Sequence, residues 1–177
     1  MKLRKIGTNY LVATPPIITV GALIFGTLGV NRVIIWYGML AVLGNMLNQI
    51  IKRIIGRMHI QGTSRPASTP KAGCGEFPGD SCIGRDTVGM PSGHCQFIAM
   101  FATYFTLFVW RCPSRLGFTL NESGKYCVTV GMWSLVGLVA GQRMNWGFTT
   151  ACHSFDQVMM GSALGLILGY ISYIVVK

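Results

Sequence analysis

The sequence predicts an all-α bundle of about five membrane-spanning helices, and three observations predict it. Hydrophobic residues fill 51% of the 177 positions and charged residues only 11%, whereas soluble domains carry about 25% charged residues. The mean hydropathy is +0.49. The apolar positions also gather into runs close to the roughly 20 residues that a helix needs to cross a bilayer. These runs lie at about 10–30, 33–51, 95–110, 126–142 and 154–176, with four spans as the smaller alternative.

The first run follows the basic start MKLRKIGTNY and has the outline of a signal peptide. No clear small-residue cleavage site follows it, and a second apolar run arrives after only Asn31-Arg32, so it is expected to be a retained helix and signal anchor. Pro15-Pro16 suggest that its helix begins there, because proline is best tolerated in a first turn. The second run carries Asn45, Asn48 and Lys52 along one side. The third is short unless His94 and Trp110 lie at the membrane interfaces. The fifth opens with His153 and continues through Gly161, Gly165 and Gly169, a small-xxx-small series that lets helices approach closely in lipid.

The polar stretch 52–93 is rich in Gly, Pro and Ser and reads as a long loop without a core of its own. With no internal repeat, heptad pattern or low-complexity tract, residues 1–177 are expected to form a single domain. If the five runs cross in turn, the N-terminus, the 52–93 loop and the 143–152 loop share one face. Lys52, Arg57, His59, Arg65, Ser92, His94, Arg143, His153, Asp156 and Gln157 all fall there.

Ionisable groups near membrane helices are costly unless they are paired or functional. Several Arg and Lys with almost no carboxylates suit an anion, and planar guanidinium forks suit phosphate. Zinc or magnesium would want more carboxylates or closely spaced His and Cys, so no metal and no cofactor are expected. In Pro91-Ser92-Gly93-His94 the glycine permits close backbone approach, the following helix offers free N–H groups to an anion, and His94 supplies a proton donor. Asp156 and Gln157 lie at i+3 and i+4 from His153. A polar partner at that spacing holds an imidazole in one tautomer, which would ready His153 to attack phosphorus.

The order Arg65-Pro66, then PSGH, then Arg143 ahead of a span-opening His153 resembles the type 2 phosphatidic acid phosphatase (PAP2) superfamily of integral-membrane lipid phosphatases, over about Asn48 to Gly165. The resemblance implies that Arg65, Ser92, Gly93 and Arg143 hold the phosphate together with Lys52. It also implies that His94 is the general acid and that His153 is the nucleophile, forming a phosphohistidine. The chain departs from the family pattern in its spacings. Met58 to Ser64 separate Arg57 from Arg65, which leaves Lys52 and Arg57 as alternatives for the first-motif cation. Arg143 and His153 stand ten apart instead of six, and Gln142 replaces a serine. The family aspartate position holds Gln157, with Asp156 one residue earlier, so both are kept as partners of His153. Gln157 there, with Cys95-Gln96-Phe97 after the PSGH histidine, is similar to the dolichyl-diphosphate phosphatase branch. That likeness implies a polyprenyl diphosphate or related lipid phosphate as substrate.

Three further readings accompany the phosphatase: a phosphotransferase that passes the phosphoryl group to an alcohol, an inactive membrane interaction protein, and a small anion transporter. The last is disfavoured by the lack of an inverted repeat. The net charge of +10 is spread over loops and fits anionic lipid head groups, so membrane lipids and no nucleic acid are the expected partners. Cys74 and Cys82 share one loop and are expected to pair if it is lumenal. No CxxC occurs among the six cysteines, which disfavours a zinc site. Ten of the fifteen Lys and Arg lie on the face with the histidines, which by the positive-inside rule is cytoplasmic. Removing Lys52, Arg65 and Arg143 leaves seven against five, so the orientation stays open. A multi-pass protein of the endoplasmic reticulum or another internal membrane is expected ahead of the plasma membrane.

Overall fold

The computed structural model describes residues 2–29, 31–66, 74, 88–144 and 151–177, with side chains from residue 13 onward. Among these residues five α-helices follow one another: α1 (Lys2–Leu28), α2 (Arg32–Met58), α3 (Gly93–Arg111), α4 (Glu122–Arg143) and α5 (Phe155–Val176), with a short 3-10 turn at Pro113–Leu116. No strand occurs among the described residues, and the fold class is all-α. Helix α1 does not begin at Pro15-Pro16 but runs through them. Each proline removes one i→i−4 donor while its fixed φ remains helical, and apolar helices tolerate such gaps where neighbouring groups take up the freed carbonyls. Thr19 Oγ1 donates to the Pro15 carbonyl at 2.9 Å.

Local signals account for the helix starts. Asn31 caps α2 by accepting from Ile34 N, Asn121 caps α4 by accepting from Gly124 N, and Ser154 caps α5 in a reciprocal capping box with Gln157. Helix α2 ends at His59, which adopts the left-handed conformation (φ 49°).

Helix α3 is the centre of the bundle and touches every other helix. Its closest partner is α5, and the glycine series explains why. Side chains on Gly161, Gly165 and Gly169 would collide with the backbone of Ser92, Gln96 and Met100 respectively. Steps of four on α5 therefore meet steps of four on α3, in the same chain direction, and the two helices lie parallel with their N-termini at the same end. Tyr37, Phe97, Tyr104, Phe108 and Tyr173 fill the core along α3. Tyr104 Oη donates to the Val33 carbonyl at 2.8 Å, so its buried hydroxyl is satisfied. Trp110 Nε1 donates to Thr129 Oγ1 at 2.9 Å and ties the last turn of α3 to α4.

The inner stripe of α2 is Val33, Tyr37, Ala41, Gly44, Asn48 and Lys52. Asn45, expected on that stripe, lies one residue past Gly44 and is exposed. Outward surfaces are apolar: Leu43, Met46 and Ile50 on α2, and Ile167, Ile171 and Val175 on α5, are all exposed. Helices α2 and α5 are long and apolar enough to cross a membrane. An outer surface of this kind is what lipid, rather than water, would cover.

Candidate active site

The parallel packing of α3 and α5 brings the PSGH turn against the start of the last helix. Ser92 N donates to the Gln157 carbonyl at 3.0 Å, and Gly161 seats the Ser92 backbone. Ser92 caps α3, and its buried hydroxyl has no hydrogen-bond partner among the described residues. His94 is buried in the first turn of α3. Gly93 faces Asn48 on α2, with space for a Cβ 3.4 Å from Asn48 Oδ1.

His153 is buried just ahead of α5, and its Nδ1 lies 3.1 Å from Gln157 Oε1. The rest of the glutamine decides the tautomer. Gln157 Nε2 donates to the carbonyls of Ser64 (2.7 Å) and Thr63 (3.3 Å), which accept only. Oε1 must then face His153 and Ser154 N, which donates to it at 3.3 Å. An amide oxygen accepts only, so Nδ1 carries the proton and Nε2 keeps the lone pair. Asp156, the alternative partner one residue earlier, is exposed, and Gln157 takes the bond. Gly89, in the stretch leading to PSGH, lies directly against this amide: a Cβ there would overlap the Gln157 side chain and displace it from its present position. Its N–H donates to the Thr63 carbonyl at 2.8 Å, beside the Ser64–Val88 bridge.

The cations gather on the same imidazole. Burial first, and then the positive charges of Arg143, Arg65 and Lys52, hold His153 well below its usual range, with the Gln157 bond working in the opposite direction. Lys52 is buried on α2, whereas Arg57 and His59 are exposed. Of the two cations left open for the first motif, Lys52 is therefore the one beside His153. Arg143, at the end of α4, is almost fully buried, and its Nη2 donates to the Cys74 carbonyl at 2.8 Å. Arg65 Nη1 donates to the Cys152 carbonyl at 3.2 Å. The ten-residue spacing between Arg143 and His153 closes on itself, because both Cys152 N and His153 N donate to the Arg143 carbonyl, at 2.9 and 3.1 Å.

Cys74 pairs with Cys152, not with Cys82. The Cα–Cα distance of 5.5 Å lies inside the range a disulfide spans, and the pair is 78 residues apart in the chain, beyond any local signal. Cys82 lies outside the described residues, as do 145–150, where the spacing departs from the family pattern.

Arg143, Arg65 and Lys52 thus surround the His153 imidazole, beside the PSGH turn that heads α3. The model of the PAP2 superfamily matches residues 33–177. The chain belongs to the PAP2 superfamily. Among characterised relatives it is 36% identical over 84 residues to lipid phosphate phosphatase gamma of Arabidopsis thaliana, covering 48% of this chain and 34% of that protein. It is 33% identical over 96 residues to dolichyldiphosphatase 1 of Dictyostelium discoideum, covering 52% and 38%. The matched stretches thus span little more than a third of those relatives. No solved structure matches the chain.

Within this PAP2 chain the structure also shows contacts that the sequence did not give. Asn48 Nδ2 donates to Gln96 Oε1 at 2.6 Å, and Gln96 Nε2 donates to the Gly44 carbonyl at 2.8 Å, a buried polar bridge between α2 and α3 beneath the site. Gln96, at i+2 from His94, was read only as part of the Cys95-Gln96-Phe97 string, with no contact assigned to it. The carbonyls of Thr63 and Ser64 had no signal at all, since every residue carries one.

Proposed function

We propose that this chain is an integral-membrane, multi-pass phosphatase that hydrolyses a lipid phosphate or a polyprenyl diphosphate through a phosphohistidine at His153, without a metal ion. One observation carries the reading: a buried imidazole, its Nδ1 committed to Gln157, is surrounded by Arg143, Arg65 and Lys52. A neutral imidazole with Nε2 unprotonated is a nucleophile, and three cations next to it suit a phosphoryl group. The names of the two relatives point to the same substrate classes.

Phosphoryl transfer is mostly positioning and charge stabilisation. Arg65, Arg143 and Lys52 offset the charge on the equatorial oxygens, with Ser92 and the backbone at Gly93 as further donors. His153 Nε2 attacks phosphorus, the bond from phosphorus to the lipid-side oxygen breaks, and His94 gives that oxygen its proton. In the second half His94 takes a proton from water, the resulting hydroxide oxygen attacks phosphorus, and the P–N bond breaks. Phosphate leaves and His153 returns to its starting form. For a diphosphate the first leaving group is the lipid monophosphate. The test is phosphate release from phosphatidate and from a polyprenyl diphosphate by detergent-purified protein in EDTA. Release from at least one is expected, and release from neither would sink the proposal.

The imidazole environment sets a pH dependence. Because the folded chain keeps His153 neutral where an unfolded imidazole, with pKa about 6.5, would take a proton, the nucleophile stays competent below that pH. By the same linkage, the unfolded chain binds more protons there, and native stability falls as the pH drops below about 6.5. Arg65→Gln removes one of the positive charges, so the acid limb of kcat/KM against pH is expected to move upward, towards neutrality. A limb left in place while kcat/KM falls would separate Arg65 from the electrostatics of His153.

The Cys74–Cys152 bond supports an active face on an oxidising side, the lumen of an internal membrane such as the endoplasmic reticulum. The excess of basic residues on that face shrinks to seven against five once Lys52, Arg65 and Arg143 are assigned to the site. A glycosylation acceptor sequence inserted after the exposed Gly62 should receive a glycan in this orientation. A bare insert in a protein that remains active would place the face on the cytosolic side.

A further inference from the structure

We propose that the Cys74–Cys152 disulfide is a positioning element for the oxyanion site, aligning Arg65 and Arg143, so that affinity for a phosphate-like anion depends on the oxidised bond. This rests on the phosphatase reading for the identity of the anion but not for the geometry. The two half-cystines are buried, at 2% and 3% exposure, and each lends its backbone carbonyl to one arginine of the opposite segment. Arg143, at the end of α4, donates to the Cys74 carbonyl, while Arg65, after α2, donates to the Cys152 carbonyl. The sulfur bridge and the two guanidinium bonds therefore cross the same gap three times.

The third link explains the first two. A guanidinium has five donors in a rigid fork, so a bond from one of them to a fixed carbonyl sets the plane in which all the others lie. That works only if the carbonyl is itself held. Cys74 is covalently tied to Cys152, and Cys152 N is bonded to the Arg143 carbonyl, so Cys74 is anchored to the backbone of the arginine that its carbonyl orients. His153, next in the chain, donates to the same Arg143 carbonyl. The cystine thus links both arginines and the nucleophile's backbone into one unit. Without it, the covalent link between positions 78 residues apart in the chain is lost.

Reduction by a dithiol breaks one S–S bond: two electrons and two protons enter, two thiols form, and the dithiol leaves as its own disulfide. The experiment uses full-length protein purified in detergent without reductant, titrated calorimetrically with orthotungstate, a tetrahedral oxyanion, before and after dithiothreitol. Digestion under non-reducing conditions first identifies the linked peptide. Reduction is expected to weaken tungstate binding on the order of tenfold for each arginine released, the scale of a charge-assisted hydrogen bond. The Cys74→Ala/Cys152→Ala variant is expected to bind as weakly with or without reductant, and KM for a lipid phosphate should rise in parallel.

Absence of the linked peptide overturns the proposal. So does unchanged tungstate affinity after reduction, even where the melting temperature falls, because a bridge that only stabilised the fold would leave binding by the folded protein intact. If the double variant fails to fold, the reductant arm on the wild type still decides. The two readings fail separately: redox-sensitive tungstate binding without lipid hydrolysis sinks the phosphatase, and hydrolysis with redox-indifferent binding sinks the positioning role.

Discussion

His153→Ala is expected to lower phosphate release by on the order of 10⁴-fold or more, the scale on which an attacking nucleophile is lost, while the helical circular dichroism stays that of the wild type. The fold tolerates the change because the His153 side chain makes its one described bond to Gln157, and that amide keeps Ser154 N, Thr63 and Ser64. The measurement is a single-turnover assay with a lipid phosphate labelled at phosphorus. Wild type quenched early should carry label on a histidine, acid-labile and alkali-stable, and the variant should carry none. Label retained in the variant would assign the nucleophile elsewhere, and His94 would be the next residue to test.

Arg143→Lys is the second large effect, with kcat/KM expected to fall by about 10²–10³-fold, comparable to losing a preorganised donor to a developing anion. Charge alone is conserved in this substitution, but the geometry is not. Lys has a point charge and no planar fork. It cannot bond the Cys74 carbonyl as Arg143 does through Nη2 at 2.8 Å and still present further in-plane donors to phosphate. The residue is almost fully buried, so a shorter ammonium also leaves space unfilled. Steady-state kinetics with the same lipid, together with tungstate affinity, make the comparison. Activity within a factor of about three of wild type would mean that Arg143 serves as a charge and not as a fork.

These effects show which parts of the site were legible in the chain. PSGH, Arg65-Pro66 and the arginine ahead of His153 could be read because each is a local string in the polar stretches between apolar runs. The choice of Gln157 over Asp156 was not legible. At i+3 and i+4 both residues are within reach of a histidine on an ideal helix, but His153 precedes the helix and Gln157 occupies the N3 position of its capping box, which turns its amide back over the first turn. Lys52 against Arg57 was open for a similar reason. Both lie on α2, five residues apart, and only the direction in which α2 packs against α3 makes one buried and the other exposed.

What the sequence determined by itself is the set of helices and the order of the chemistry along them. Apolar run lengths, asparagine and serine caps, and the Gly161-Gly165-Gly169 series act over a few residues, and the helices they specify were readable without a partner. The tertiary structure alone decided the rest: that Cys74 pairs with Cys152, that two half-cystine carbonyls orient two arginines, and that the Thr63 and Ser64 carbonyls set the tautomer of His153. The physical reason is that these contacts join segments tens of residues apart: the accepting carbonyls are backbone atoms that every residue possesses, and a cysteine's partner is chosen only when packing has brought two of them together.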